Sequence, residues 1–340
     1  MEKQRILITG GAGFIAHHLI DHLIRNTNWE IVILDKLTYA ANGFDRLREI
    51  GAYGHPRVTA HPVDLCYRIG EGLEREIGHV DYFVHMAAET HVDNSIANPR
   101  LFVEANVVGT FEMLELARRL TGLKKFLYFS TDEVFGPAPD CMEYKEWDGY
   151  NSNNPYAATK AAGEELTLAW ANTYKLPAFI THTMNAFGER QHPEKFIPKV
   201  ISHVMMGKTI PIHAYPDKKR SGSRFYIHCR NIADAVLFLL DRADFREKYN
   251  IVGEQEVNNL DLAKRIASII GKPLKYELVD FHSARPGHDL RYALNGGKMR
   301  GMNWFVPMRF EESLTRTIRW MTRPEHYSWL DLGTHAAVAG

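Results

Sequence analysis

The chain has 340 residues, 45% hydrophobic and 24% charged, and its 41 Lys+Arg balance 41 Asp+Glu to a formal net charge of zero. Such a composition can bury a sizeable core and excludes a disordered, collagen-like or coiled-coil chain. A neutral balance with no long basic run argues against an electrostatic nucleic-acid binder, and the longest apolar runs, 31–34 and 235–240, are far too short to span a bilayer.

The opening MEKQRILITG reads directly into a strand and offers no signal peptide. Cys66, Cys141 and Cys229 are far apart and in no metal spacing, as in a protein of a reducing compartment. The 17 histidines likewise give no recognised ligand spacing, so no metal is expected. These features point to a cytoplasmic enzyme with neither a membrane nor a nucleic-acid partner.

In chain order, strands are expected at 5–9, 30–35, 58–63, 81–85, 125–130 and 178–181. Most are apolar almost throughout rather than alternating, which suits a parallel sheet covered on both faces. Helix-length stretches lie between them at 13–26, 69–77, 99–120 and 155–174. Pro99 and Pro155 suit first-turn positions, with Asn98 and Asn154 before them as N-caps. This alternation predicts an α/β fold with a doubly wound parallel sheet over 1–184. From 185 the texture changes, and shorter segments (193–207, 231–241, 260–270, 311–321) predict a smaller α/β lobe over 185–325. A stretch around 225–250 is expected to return to the first unit, and 326–340 reads as a tail, frayed from about 332.

Gly10-Gly-Ala-Gly13-Phe-Ile-Ala16 follows the first strand and opens a helix. Its glycines permit a tight turn, and its backbone N–H groups can approach a pyrophosphate at the positive end of the helix. Asp35 ends the second strand, 19 residues after Ala16, where a carboxylate can accept both hydroxyls of an adenosine ribose. That carboxylate would repel a 2′-phosphate, which favours NAD over NADP; Lys36 is the one residue pointing the other way.

Tyr156 and Lys160 are four apart on a predicted helix and share a face. A neighbouring ammonium would lower the phenol's pKa and make it a usable base. Tyr215 and Lys219 show the same spacing, but Pro216 and the charged turn around them exclude a helical face. Thr131-Asp132-Glu133 follows directly on the fifth strand, at the edge where parallel sheets bind ligands. Two close carboxylates repel, which keeps one protonated as a general acid and leaves the other ionised as a base. Met113, Leu114, Leu116 and Ala117 form an apolar stripe suited to packing against a helix.

Several strings together resemble an extended short-chain dehydrogenase/reductase of the nucleoside-diphosphate-glucose 4,6-dehydratase family. They are Thr9-Gly-Gly-Ala-Gly-Phe-Ile15, Leu34-Asp-Lys-Leu-Thr-Tyr-Ala40, His85-Met-Ala-Ala-Glu-Thr-His-Val-Asp-Asn-Ser95 and Ser130-Thr-Asp-Glu-Val-Phe-Gly136, with Asn154-Pro-Tyr-Ala-Ala-Thr-Lys160, Pro193-Glu-Lys-Phe-Ile-Pro198 and Arg285-Pro-Gly-His-Asp289. The resemblance runs from residue 1 to about 321, and the Thr-Asp-Glu string is its most specific part. It implies a Rossmann-type fold, NAD as a retained cofactor, a nucleotide-sugar substrate, and a homodimer through helices near 99–120 and 155–174.

The implied chemistry begins with Tyr156, assisted by Lys160 and Thr131, taking the sugar O4 proton while the C4 hydride passes to NAD. Glu133 then removes the C5 proton, Asp132 protonates the departing C6 hydroxyl, and the hydride returns to C6. Implied cofactor contacts are Gly10, Gly13, Phe14, Ile15, Asp35, Lys36 and Thr38, with Asp64 and Leu65 near the adenine and Ala87, Thr90 and Asn106 further along. Asn185, Glu194, Lys195, Arg224, Asn259, Arg285 and His288 would surround the sugar and diphosphate. Ala16, Asn94, His182, Phe187 and the turn 213–223 depart from the family pattern, and 90–95 is closer to a UDP-glucose branch. Most of these changes are expected near the substrate, so dTDP-glucose and UDP-glucose both stand. A C4 epimerase, a dehydratase of another nucleotide sugar and a non-catalytic NAD-binding sensor are the competing readings.

Overall fold

Strands that are apolar on both sides need cover on both faces, and the fold supplies it with helices. The computed structural model describes residues 4–280 and 291–332. β1 (Arg5–Thr9) leads through the glycine turn into α1 (Phe14–Asn26). β2 (Glu30–Asp35), α2 (Asp45–Glu49), β3 (Val58–Pro62), α3 (Glu71–Ile77) and β4 (Tyr82–His85) follow. Then come α4 (Val92–Ala97), α5 (Pro99–Val103), a π-helical turn (Glu104–Val108), α6 (Gly109–Arg119), β5 (Lys125–Thr131), α7 (Pro155–Tyr174) and β6 (Ala178–Thr183).

The second half begins with β7 (Asn185–Phe187), α8 (Phe196–Met206), β8 (Ile210–Ala214), β9 (Ser223–His228), α9 (Cys229–Arg242) and β10 (Lys248–Ile251). It continues with β11 (Glu256–Asn258), α10 (Asn259–Ile270), β12 (Tyr276–Asp280), α11 (Gly297–Gly301) and α12 (Phe310–Met321). Seven parallel strands form the main sheet in the order β10-β6-β5-β4-β1-β2-β3. The chain winds outward from β1 to β3 and returns to β4 on the other side of β1. That reversal opens a crevice at the carboxyl ends of the strands, where Thr9, Asp35, His85 and Thr131 lie.

α9 packs along α1, and β10 pairs with β6, so part of the second half completes the first unit. The smaller lobe has the sheets β11-β9-β7 and β12-β8 and its own core around Phe187, Val200, Ile201, Leu262, Ile266, Leu314 and Ile318. Residues 326–332, read from sequence as part of a tail, are not one in the structure. A 3-10 turn (Pro324–Leu330) buries Trp329 and Leu330, and Leu332 reaches the lobe's core. Residues 333–340 lie outside the described residues.

Two local expectations are corrected. Asn154 caps α7 by accepting from Ala157 N–H at 2.8 Å, whereas Asn98 makes no side-chain cap bond to α5. The stretch 99–120 is not one regular helix but two helices joined by the π-helical turn. The bulge turns Asn106 inward, where Oδ1 accepts from Glu89 N–H at 2.8 Å and Nδ2 donates to Glu89 O and Thr159 Oγ1, both at 3.0 Å. Three buried bonds from one amide compensate for the lost helical register. The stripe Met113, Leu114, Leu116 and Ala117 is buried in a core shared with Leu7, Phe83 and Phe126 of the sheet.

Candidate active site

Gly10 has φ +71°, and a Cβ there would stand 2.7 Å from Ala87 Cα; one at Gly13 would stand 2.9 Å from Gly10 O. Glycine is therefore required for the turn to close against β4 and start α1. Asp35 holds this loop in place: Oδ2 accepts from Ala12 N–H at 2.9 Å and Oδ1 from Leu37 N–H at 2.7 Å. Burial raises its pKa, opposed by those two bonds. Lys36, the residue that weakened the expectation of NAD, is paired with Asp64 at 2.6 Å.

Above this loop lies a cavity of about 510 Å³. Gly10, Gly13, Phe14, Ile15, Asp35, Lys36 and Thr38 line one end, with Asp64, Leu65, Ala87 and Thr90 beside them. Thr131, Asp132, Glu133, Tyr156 and Lys160 form its middle. Asn185, Glu194, Lys195, Arg224 and Asn259 line the end formed by the smaller lobe. Asn106 does not line the cavity; it lies beneath, holding the Glu89 backbone. Arg285 and His288 lie outside the described residues.

The catalytic candidates come from two elements meeting at the sheet edge. β5 ends at Thr131, whose Oγ1 donates to Asp132 Oδ1 at 3.1 Å and accepts from Glu133 N–H at 3.3 Å. Glu133 Oε2 accepts from Asn154 Nδ2 at 3.2 Å and from Tyr292 O–H at 3.5 Å. Burial, then the Glu133 charge, pushes the Asp132 carboxyl up to about 7, the poise of an acid that can give and regain a proton near neutrality. Burial also lowers Lys160 to about 7, opposed by Glu164, and its Nζ donates to Phe129 O at 2.8 Å. The Tyr156 phenol is raised, not lowered, by burial and by the Glu133 and Asp132 charges, with a hydrogen bond to Thr131 opposing them. The protein's own groups alone do not turn this phenol into a standing phenolate.

Behind the site, Glu164 is one further turn along α7 from Lys160 and fully buried. It accepts from Ser130 Oγ and Tyr150 O–H, both at 2.5 Å, contacts His182 Nε2 at 3.0 Å and pairs with Lys248 Nζ at 3.3 Å. His182, one of the departures from the family pattern, is thus part of a buried network and does not line the cavity, because its strand position faces α7. Phe187 is likewise core, edge-on to His228 and Phe310. Among the other departures, Asn94 donates to Tyr39 O–H at 3.0 Å, while His213 and Gly222 line the cavity.

Sequence reasoning missed Arg46, Gln191 and Tyr292, which also line the cavity. Arg46 is fully buried, and its guanidinium donates to Ala12 O, Ala40 O, Ala41 O and Arg190 O, tying the glycine loop to the lobe. Tyr292 lies under Arg224, 4.6 Å from guanidinium carbon to ring centroid. None of the three stands in a recognisable motif; only the fold brings them here.

These walls fit a dinucleotide and a polar partner. The glycine cradle leaves no room for a Cβ, and the helix start supplies N–H groups to an anion. Asp132 Oδ2, Thr183 Oγ1, Asn185 Oδ1 and Gln191 Oε1 are buried on the cavity wall with no hydrogen-bond partner among the described residues. Buried polar atoms left unpaired cost about 1–3 kcal/mol each, which a polar ligand would recover. Gly10→Ala is expected to weaken NAD binding at least about tenfold, through backbone strain and the clash with Ala87. Calorimetric titration with NAD checks this, and unchanged affinity would contradict the assignment of the loop.

Known proteins agree with this geometry. Residues 6–252 match the model of the NAD dependent epimerase/dehydratase family. The dTDP-glucose 4,6-dehydratase of Escherichia coli is 36% identical, over 93% of this chain and 92% of the relative. That of Haemophilus influenzae is 37% identical over 93% and 97%. The crystal structure of DesIV, a dTDP-glucose 4,6-dehydratase from Streptomyces venezuelae with NAD bound, superposes with TM-score 0.85 at 33% identity, covering 96% of this chain and 99% of DesIV. A Thermus thermophilus UDP-glucose 4-epimerase in complex with NAD gives TM-score 0.81 at 26% identity, over 93% and 98%. Sequence, fold and cavity thus agree, and the chain belongs to the NAD dependent epimerase/dehydratase family.

Proposed function

We propose that this chain is a NAD-dependent 4,6-dehydratase that converts dTDP-glucose to the 4-keto-6-deoxy sugar, with UDP-glucose the second candidate. The observation that carries the reading is the placement of Asp132 and Glu133 beside Tyr156 in one cavity, where burial and the Glu133 charge raise the Asp132 carboxyl. A C4 epimerase has no proton to remove at C5 and no hydroxyl to expel at C6, so it has no use for this pair. Relatives named dTDP-glucose 4,6-dehydratase, similar over nearly the whole chain, support the same choice.

NAD, when bound, supplies the hydride acceptor and donor. The chain's own residues do the rest. Asp35 and the glycine loop hold the dinucleotide end, and Arg224 with its planar fork suits the diphosphate. Tyr156 takes the O4 proton, and the resulting 4-keto group acidifies C5–H. Glu133, steered by Asn154 and Tyr292, removes that proton. Asp132 delivers a proton to the C6 oxygen as water leaves. Holding the intermediate together with the reduced nicotinamide requires that bulk water be kept from the site while the reaction runs.

Two-copy assembly belongs to the same reading: Val103, Val108 and Phe111 leave an exposed apolar face around α5 and α6, with Tyr174 exposed at the end of α7. Among the described residues, no helix is long and apolar enough to cross a membrane. The test of function is mass spectrometry after separate incubation with dTDP-glucose, UDP-glucose, GDP-mannose and UDP-N-acetylglucosamine, without added reductant. One water lost from dTDP-glucose, or from UDP-glucose, is the expected outcome. Water lost from none of the four overturns the reading.

A further inference from the structure

A buried cation touches three walls of the cavity at once. Arg46 of α2 is 1% exposed, and among the described residues its hydrogen bonds go to carbonyls alone. Nη1 donates to Ala40 O and Ala41 O of the loop after β2 at 2.6 and 2.9 Å, and to Ala12 O of the glycine turn at 3.4 Å. Nε donates to Arg190 O, between β7 and α8, at 3.0 Å. The Ala12 peptide is therefore held from both sides, because its N–H donates to Asp35 Oδ2. Ala40 and Ala41 line the cavity, as does Gln191, the neighbour of Arg190.

A planar guanidinium serves such a set of carbonyls in one orientation only, and that orientation is fixed from behind. The Trp329 ring lies against it, 5.1 Å from guanidinium carbon to ring centroid, with Trp329 itself 6% exposed. Trp329 Nε1 donates at 2.8 Å to Oε1 of Glu49, which lies on α2 with Arg46. Glu49 Oε2 pairs with Arg190 Nε at 2.7 Å, so the contacts close a ring through the Arg190 carbonyl back to Arg46. The Arg190 guanidinium in turn lies over the Trp320 ring, at 4.7 Å. Leu330 and Leu332 anchor this end of the chain in the core of the smaller lobe.

We propose that Trp329 is a positioning residue for the cofactor: it holds the Arg46 guanidinium as a clasp on the glycine turn and on the loop after β2. The 3-10 turn at Pro324–Leu330 thereby belongs to the dinucleotide site, although it lines no part of the cavity. The inference rests on the glycine turn as the dinucleotide site and not on the dehydration step. Its physical basis is the narrow fit of that turn, where even a Cβ at Gly10 would stand 2.7 Å from Ala87 Cα. Backbone N–H groups that must meet a pyrophosphate bind well only when their supports are locked. A guanidinium pressed on a ring away from water is a strong support, since such contacts gain in strength when desolvated. Without the ring, Arg46 is free to turn, and its four carbonyls lose their common donor.

The discriminating experiment is calorimetric titration with NAD, after removal of any bound cofactor, of the native chain, Trp329→Leu, Trp329→Phe, Arg46→Met and the Arg46→Met/Trp329→Leu double variant. Trp329→Leu is expected to raise the Kd for NAD about five- to tenfold, the worth of one desolvated ring contact. Trp329→Phe keeps a ring against the guanidinium and recovers at least part of that loss. Arg46→Met weakens binding by about tenfold or more, and adding Trp329→Leu to it weakens binding no further, because the tryptophan acts through the arginine. A leucine variant that binds NAD like the native chain, or a phenylalanine variant no better than leucine, overturns the clasp. So does a double variant whose loss is the product of the two single losses. Should Arg46→Met not fold, the leucine and phenylalanine variants decide alone. If the native chain takes up no NAD, the dinucleotide reading of the glycine turn fails; native uptake with an unchanged leucine variant sinks the clasp alone.

Discussion

Glu133→Gln is expected to lower formation of the dehydrated sugar by roughly 10²–10⁴-fold, the usual contribution of a positioned base. Asn154 Nδ2 and Tyr292 O–H converge on Glu133 Oε2, fixing it where the Thr131–Asp132 turn opens into the cavity. A glutamine keeps the size of this side chain, so the fold and NAD binding should persist, but an amide cannot accept the C5 proton. In the proposed mechanism oxidation at C4 uses Tyr156 instead and should survive, so reduced nicotinamide should accumulate on adding substrate. Product analysis and nicotinamide absorbance together check this; unaltered turnover would sink the assignment of Glu133.

Glu164→Gln should be the most destabilising single change near the site, by about 3–5 kcal/mol, because it leaves Lys248 buried without its anion. Burial alone would raise the Glu164 pKa, but His182, Lys248 and Ser130 outweigh it and hold the carboxyl down at about 2. A depressed carboxylate pKa contributes stability above its unfolded value, and that contribution is lost as pH falls through the folded one. The native protein should therefore lose stability steeply from about pH 4.5 toward 2, while the glutamine variant starts lower and changes less. Urea unfolding at pH 7 and pH 4 measures both; a variant as stable as native at pH 7 would contradict the role given to Glu164.

Much of this site was legible before any coordinates because its parts sit at strand ends. The glycine turn after β1, Asp35 closing β2 and Thr131 closing β5 follow from continuous apolar runs and the carboxyl-edge rule. What was not legible depends on contacts between distant segments. His182 read only as a departure from the family pattern, yet it meets Glu164 across the β6–α7 layer, and Lys248 arrives from β10. Arg46 looks like an ordinary helix cation until four carbonyls from three segments surround it. The π-helical turn at Glu104–Val108 leaves no mark in a helical periodicity; its cause is Asn106 reaching Glu89 and Thr159.

The central claim is that a single site oxidises C4, expels water and returns the same hydride to C6. The most direct test is incubation with dTDP-glucose carrying deuterium at C4, followed by mass spectrometry and NMR of the product. The account predicts loss of one water, with the deuterium retained and found on the C6 methyl group. Loss of water without deuterium at C6, or return of the label to C4 with no water lost, would contradict it.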